Sequence, residues 1–117
     1  VVMVNLLKYR EIADYSHFES LKPTENISGE DAYALYMQHT LPHLKKAGSQ
    51  LLYFGKCGEF LIGPASKHWD AILLVEHASV KKFIEFAQNE AYLKTAGHRT
   101  AALEDSRLLP TSQMKNL

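Results

Sequence analysis

Three side chains that could do chemistry follow one flank of a helical segment. Tyr36, His39 and His43 stand at positions i, i+3 and i+7, so they occupy neighbouring points on an α-helix. His39 and His43 have the i, i+4 spacing of a metal-binding pair, but no Glu or Asp neighbours this flank to complete a ligand set. Pro42 also disturbs the helical spacing that the pair needs. We therefore expect no metal and no cofactor, and either partly exposed imidazoles or a proton-transfer role for His39.

Two further polar residues lie where apolar ones would be ordinary. Asn5 interrupts an apolar strand pattern, and a buried amide is costly unless it finds partners. This predicts either a ligand-facing amide or a hydrogen bond to a neighbouring loop. Arg99 lies at helical spacing from apolar residues and can point inward. Because an inward Arg normally pairs with a carboxylate, Glu104 and Asp105 favour a structural ion pair, with anion binding as the alternative.

Aromatic side chains complete the set of candidate site residues. Tyr53 and Trp69 fall in adjacent strand patterns, where such residues more often build a core than a ligand platform. Together with Tyr36 they are the candidate substrate-binding residues. The remaining histidines of the second half are expected at the surface: His68, His77 and His98.

Two classes of function fit these residues. The first is a small cofactor-independent enzyme acting on a small organic metabolite by proton transfer, oxygenation or isomerisation. Its candidate catalytic residues are His39 as general acid or base, and Asn5 and Arg99 (or Tyr36) holding an oxyanion. The second is a non-catalytic dimer that binds a small apolar molecule, and a purely structural dimer ranks behind both. Signature motifs of nucleotide-binding proteins and serine hydrolases do not occur.

The elements that must position these residues follow from periodicity and capping. Strand patterns cover Val1–Arg10, Gln50–Ile62, Trp69–His77 and Glu104–Leu109. Helical patterns follow caps at Ser28, Ser79 and Asn89, and cover 28–48, 80–87 and 90–102. The resulting order, β-α-β-β-α-β, predicts an α+β, ferredoxin-like fold with an antiparallel sheet.

Two segments stand outside this pattern within one domain of residues 1–117. The loop 11–27 is long for a connection and carries isolated aromatic residues such as Tyr15 and Phe18. We predict that it is a lid over a cleft between the first helix and the sheet. Residues 110–117 are predicted to be a polar C-terminal tail.

The middle strands are apolar on both faces, whereas an antiparallel sheet with one wet face alternates apolar and polar residues. Leu51 and Tyr53 are expected on one face, and Leu52 and Phe54 on the other. Helices can cover only one of these faces. The pattern therefore predicts a homodimer through the second sheet face.

Bulk composition excludes several other classes. The 117 residues are 46% hydrophobic and 22% charged, with 13 basic and 13 acidic side chains. Balanced charge argues against nucleic acid as a partner. No apolar run approaches the ~20 residues of a membrane span, and no basic leader precedes the first strand. Cys57 is the only cysteine, so we expect no internal disulfide and a cytoplasmic location.

Several stretches of this chain resemble the family called "domain of unknown function 1330". They are Val2–Arg10, Trp69–Asp70 leading into Leu73–Val75, Glu90–Tyr92 and Arg99–Ser106. The resemblance covers nearly the whole chain except the loop 11–27 and the tail. It implies the dimeric α/β-barrel superfamily, in which two ferredoxin-like sheets pack face to face. It implies no particular reaction, although distant relatives include cofactor-free monooxygenases, muconolactone isomerases and haem-handling proteins.

Overall fold

The computed structural model of the chain describes residues 1–115 and has an α+β fold with a four-stranded antiparallel sheet. The strands are β1 (Val2–Tyr9), β2 (Gln50–Lys56), β3 (Ala71–Glu76) and β4 (Leu103–Thr111). Their order in the sheet is β2-β3-β1-β4, so the two central strands are β3 and β1. The last two residues of the expected tail lie outside the described residues.

The helices are α1 (Gly29–Lys46), α2 (Val80–Ala87), α3 (Glu90–Leu93) and α4 (Gly97–Ala102). The three expected caps are confirmed: the side chains of Ser28, Ser79 and Asn89 each accept a hydrogen bond from a backbone N–H in the first turn. Gly48 has a φ of 77°, a conformation that favours glycine, and it stands just after the end of α1. The expected helix over 90–102 is interrupted between Leu93 and Gly97, so it forms two short helices instead of one.

Residues paired across the sheet show which side chains share a face. Asn5 pairs with Leu73 in β3 and with Leu108 in β4, and Leu73 pairs with Phe54 in β2. This face carries the buried strand residues that pack with α1 in the hydrophobic core. The core includes Leu7, Leu73 and Val75 from the sheet, and Tyr33, Met37 and Leu44 from α1. We call it the helix-covered face.

No helix within residues 1–115 packs on the opposite face of the sheet. Leu74 pairs with Val4 and with Tyr53, and Val4 pairs with Leu109. Tyr53 and Leu109 are exposed, whereas Val4 and Leu74 are half-buried. The sheet therefore has an apolar open face, as its two-sided sequence pattern predicts.

A β-bulge in β2 corrects the expected facing of that strand. The register shifts between Leu51 and Tyr53, so Leu52 has no direct partner in β3. Because the bulge changes the alternation, Leu51 and Tyr53 do not share a face. Leu51 pairs with Val75 on the helix-covered face, and Tyr53 lies on the open face. The prediction for these two residues was wrong.

Element bounds differ from the sequence prediction in three more places. β2 ends at Lys56, and the residues from there to β3 form a loop whose Leu61 and Ile62 are fully exposed. Trp69 precedes β3 and does not begin it. β4 runs to Thr111, two residues into the expected tail, because the Thr111 hydroxyl bonds the carbonyl of Val2.

The loop 11–27 packs on the helix layer. Asp14 donates its backbone N–H to Ala101 in α4, and Tyr15 is buried. The side chains of Phe18 and Leu21 lie directly against Gly97. Within the described residues, no helix is both long and apolar enough to cross a membrane.

Candidate functional site

A cavity of about 350 Å³ lies between the helix layer and the helix-covered face of the sheet. Such a volume is at the lower end of the range for small-molecule sites. Apolar walls come from residues such as Met3, Phe83 and Phe86. Its polar wall residues are Asn5, Tyr33, Tyr36, Thr40, His77, Tyr92, Arg99 and Ser106. No Asp or Glu lies among the residues that line it in the described part of the chain.

Asn5 is one of the expected residues that the structure brings to this cavity. It is buried in β1, and alternation along the strand directs it to the helix-covered face together with Met3 and Leu7. Its Nδ2 donates to the Leu73 carbonyl over 3.4 Å, a long bond. The amide is therefore held weakly by the protein and faces the cavity.

Arg99 also lines the cavity, and the expected ion pair is absent from the described residues. Glu104 instead pairs with Lys8 at 3.6 Å, and Asp105 pairs with Arg107. The prediction was wrong because β4 directs these carboxylates to Lys8 and Arg107, while Arg99 extends from α4 into the cavity. The guanidinium is left half-buried without a carboxylate partner among residues 1–115.

Three tyrosines, Tyr33, Tyr36 and Tyr92, line the cavity together with Arg99. The hydroxyls of Tyr36 and Tyr92 are hydrogen-bonded at 2.8 Å. Burial raises the pKa of Tyr33 and of Tyr36 well above the ordinary phenol value, and Arg99 offsets only part of that rise. Both groups are neutral phenols at neutral pH, so each hydroxyl can donate as well as accept a hydrogen bond. Of the three aromatic residues expected to bind substrate, Tyr36 belongs to this site.

Thr40 carries an unsatisfied polar atom on the cavity wall. Its side chain is 2% exposed, and Oγ1 has no hydrogen-bond partner among the described residues. A buried hydroxyl without a partner costs about 1–3 kcal/mol. Such a group at a cavity wall is available to a bound molecule.

His77 is a cavity residue that the sequence interpretation placed at the surface. It is 3% exposed, and its Nδ1 is hydrogen-bonded to Ser49 Oγ at 2.7 Å. Burial lowers the pKa of the imidazole below its ordinary value. The sequence pattern of β3 does indicate that His77 is buried, because His77 follows the buried Leu73 and Val75 at the same two-residue spacing.

His39, the expected general base, does not line the cavity. It is exposed on α1, and its ring stacks on that of His98 with 5.6 Å between centroids and 3° between planes. His98 is itself 5% exposed, not at the surface as expected, and its Nδ1 is hydrogen-bonded to the Tyr15 hydroxyl at 2.7 Å. α4 and the loop 11–27 pack beside His39. Its ring therefore lies in a cluster with His98 of α4 and Tyr15 of the loop. That loop contributes no cavity-lining residue, so it is not a lid over this cavity.

Tyr53 and Trp69, expected to bind substrate, lie away from the cavity. Tyr53 is on the open face because of the bulge in β2. The Arg107 guanidinium lies over the Trp69 ring at 5.3 Å, and Arg107 pairs with Leu6 on that same open face. Both aromatic residues therefore belong to the uncovered side of the sheet.

His43 lies in a groove with Pro42 and Lys46, separate from the cavity. Within residues 1–115, no three His, Cys, Asp or Glu side chains come together in a way that could hold a metal ion.

Comparison with solved structures identifies close relatives of this fold. The methylated RPA0582 protein matches 98% of the chain and 81% of its own length, with 32% identity and a TM-score of 0.85. A second crystal structure of the RPA0582 protein, a protein of unknown function from Rhodopseudomonas palustris, matches 97% of the chain and 82% of its own length. Its identity is 32% and its TM-score 0.83. No family model matches the sequence, and a comparison with curated proteins gives no match. At this identity and coverage, the chain belongs to the same family as the RPA0582 protein.

Proposed function

We propose that the cavity binds a small organic anion, a molecule with an apolar body and one carboxylate or enolate group. The main support for this proposal is Arg99, whose guanidinium lies on the cavity wall. Among residues 1–115, no carboxylate lines that wall and Arg99 forms no ion pair. A half-buried charge normally finds a partner, and a guanidinium matches a carboxylate with two parallel hydrogen bonds.

The other polar wall groups complement such an anion. Thr40 Oγ1 lacks a partner and can donate to an oxygen of the ligand. Tyr33 also lines the cavity, and its neutral hydroxyl can donate to the ligand as well. Phe86 and Tyr92, whose ring centroids are 4.5 Å apart, form an aromatic wall for the apolar body. A few polar groups on a mostly apolar wall are typical of small-molecule sites.

Phenylacetate and its neutral isostere phenylacetamide test this proposal by isothermal titration calorimetry. We expect the acid to bind the wild-type protein more tightly than the amide. Arg99→Gln should weaken binding of the acid at least tenfold and leave binding of the amide unchanged. Arg107→Gln is the matched control, because Arg107 is exposed and already paired with Asp105. Equal affinity for the two compounds, or an Arg99 variant without effect, would contradict anion binding.

The proposal includes a homodimer through the open face. The strand order β2-β3-β1-β4 supports a ferredoxin-like arrangement in which the three short helices after β3 replace one longer helix. The open face presents apolar residues from all four strands: Val4, Leu6, Tyr53, Ile72, Leu74 and Leu109. A contiguous apolar sheet face of this kind is unusual on a monomer. Packing of two such faces corresponds to the dimeric α/β barrel of the "domain of unknown function 1330" family.

Light scattering at micromolar concentration tests the dimer. We expect twice the chain mass of 13.2 kDa, and an interface of at least ~1,600 Å². Leu74→Glu places a charge at the centre of the open face and should give a folded monomer. Leu93→Glu, at an exposed position of α3 in the helix layer, is the control that should remain dimeric. A wild-type mass of one chain would refute this part of the proposal.

A second candidate function, a cofactor-independent enzyme, is favoured by one observation. The cavity that contains Arg99 and Asn5 also contains a buried histidine, His77. A titratable group beside oxyanion-holding groups in one pocket is the arrangement that acid–base catalysis requires. His39, the base expected from the sequence, lies outside this cavity.

A further inference from the structure

We infer that His77, positioned by Ser49, transfers a proton to and from the carbon next to the carbonyl group of an oxo acid bound in the cavity. This rests on the proposed binding of an organic anion and adds a reaction and a substrate class to it. The substrates would be small 2-oxo acids or related carbonyl acids with one acidic C–H group.

The geometry fixes which nitrogen of His77 meets the ligand. Ser49 lies outside the set of cavity-lining residues, and it holds Nδ1 at 2.7 Å. Nε2 is therefore the nitrogen left for the cavity. Phe83 packs edge-on against the imidazole with 5.1 Å between centroids, and Phe86 packs at 6.0 Å. With three contacts around it, the ring is held in one orientation.

The protonation state suits a base. Burial lowers the pKa of His77, so the imidazole is neutral at pH 7. In the tautomer whose Nδ1–H donates to Ser49 Oγ, Nε2 carries a lone pair directed to the cavity. No carboxylate lines the cavity in the described residues to bind that nitrogen in place of a substrate.

Asn5 and Arg99 supply the other half of the reaction. Both line the cavity, and among the described residues the side-chain hydrogen bond of Asn5 is its 3.4 Å contact with the Leu73 carbonyl. Arg99 has no ion-pair partner within residues 1–115. An amide N–H and a guanidinium can hold the carboxylate and the carbonyl oxygen of an oxo acid. They then stabilise the negative charge that develops on that oxygen.

The proposed step balances without an oxidant, a reductant or a co-reactant. The C–H bond next to the carbonyl breaks, and its proton goes to His77 Nε2. The electron pair of that bond forms a C=C bond, while the π pair of the C=O bond moves to oxygen and gives an enolate. The Nε2–H group exchanges its hydrogen with solvent, so transfer back to the same carbon gives isotope exchange, and transfer to the oxygen or another carbon gives an isomer. His77 ends each cycle in its starting form.

Phenylpyruvate in D₂O is the probe, because it combines a carboxylate, a carbonyl group and an acidic C–H group with one aromatic ring. Proton NMR measures deuterium uptake at its C3 position, and calorimetry measures its binding. We expect the wild-type protein to accelerate exchange over buffer. His77→Gln should lower the rate by roughly 10²–10⁴-fold while phenylpyruvate still binds, as removal of a general base does.

Two variants separate the proton-transfer role from a structural role. His98→Gln removes another buried histidine with an Nδ1 bond, but one outside the cavity, and should leave the exchange rate unchanged. Ser49→Ala should lower the rate about tenfold, the scale of one hydrogen bond, with the KM for phenylpyruvate unchanged, and Ser49→Thr should restore it. If His77→Gln fails to fold, the two Ser49 variants still test the inference.

Each outcome decides between the two proposals. Phenylpyruvate that binds without faster exchange overturns the inference and leaves anion binding intact. Exchange that survives in His77→Gln overturns it as well. If neither phenylacetate nor phenylpyruvate binds, the proposed function and the inference both fall.

Discussion

His77 and His98 are two buried histidines in nearly the same local state but in different surroundings. Each is almost fully buried, and each Nδ1 is hydrogen-bonded to a hydroxyl at 2.7 Å, from Ser49 and Tyr15 respectively. Burial lowers the pKa of both. However, His77 lines the cavity with Arg99, while the ring of His98 is enclosed by Tyr15 and His39.

The difference shows that burial and a shifted pKa do not by themselves make a functional histidine. Structural networks perturb pKa values as active sites do. What distinguishes His77 is the open volume beside it and the unpaired polar groups across that volume. His98 instead connects the loop 11–27 to α1 and α4, so its role is to hold packed elements together.

The largest expected effect tests how tightly the His98 region is packed. A Cβ on Gly97 would come within 2.6 Å of the Phe18 ring and 2.8 Å of Leu21. Gly97→Ala should therefore lower the free energy of unfolding by about 3 kcal/mol, the upper range for overpacking. Gly58→Ala is the control, since nothing lies within 4 Å of its added Cβ, and should change stability by less than about 0.5 kcal/mol. Denaturant unfolding measures both. Equal stabilities of the two variants would show that the loop 11–27 can move to accommodate the added methyl group without loss of stability.

A second effect tests the two hydroxyl partners. Tyr15→Phe leaves Nδ1 of the enclosed His98 without a partner and should cost about 2 kcal/mol. Ser49→Ala should cost less than about 1 kcal/mol, because Ser49 is partly exposed and a hydrogen bond at such a position contributes less to stability than one in an enclosed position. Thermal and denaturant unfolding compare the two variants. If Ser49→Ala lost more stability than Tyr15→Phe, His77 and not His98 would be the more tightly enclosed histidine.

These contrasts also separate what local sequence chemistry could predict from what it could not. The caps at Ser28, Ser79 and Asn89 were correct because a cap needs only a side-chain oxygen and the next turn of backbone. The bulge at Leu52 was missed because it depends on the register with β3.

The site residues divide in the same way. Asn5 and Tyr36 reach the cavity because strand alternation and helical spacing direct them there. The partner of His39 depends on how the loop 11–27 packs on α4, a contact between distant segments that no local pattern encodes. The absence of an ion pair at Arg99 within residues 1–115 likewise depends on Lys8 and Arg107 engaging Glu104 and Asp105.

A third effect tests the open site itself. Thr40→Val keeps the shape of the side chain and removes the hydroxyl that has no partner, so it should raise the free energy of unfolding by about 1 kcal/mol. The same change should weaken phenylacetate binding. Thr111→Val is the control, because its hydroxyl bonds the Val2 carbonyl at 2.7 Å, and it should lower stability. A Thr40 variant that lost stability would show that its hydroxyl is satisfied, and the case for a ligand there would weaken.

The smallest expected effect is on how the free energy of unfolding depends on pH. For a histidine whose folded pKa is lowered, the unfolded chain binds more protons between that folded pKa and the ordinary value of about 6.5. The free energy of unfolding should therefore fall as the pH drops below about 6.5, and level off below the folded pKa values. Both His77 and His98 contribute in this direction.

Replacing His39 should separate these two contributions. The groups around His98 are the His39 ring on α1 and the Tyr15 hydroxyl, and its pKa is lowered first by burial and then by the charge of His39. His39→Gln removes that charge and should raise the pKa of His98, while the pKa of His77 stays the same because His39 does not line the cavity. Proton NMR titration of the imidazole C–H signals resolves the two rings. If the pKa of His77 moved together with that of His98, the two buried histidines would belong to one coupled network, and the division between packed cluster and open site would fail.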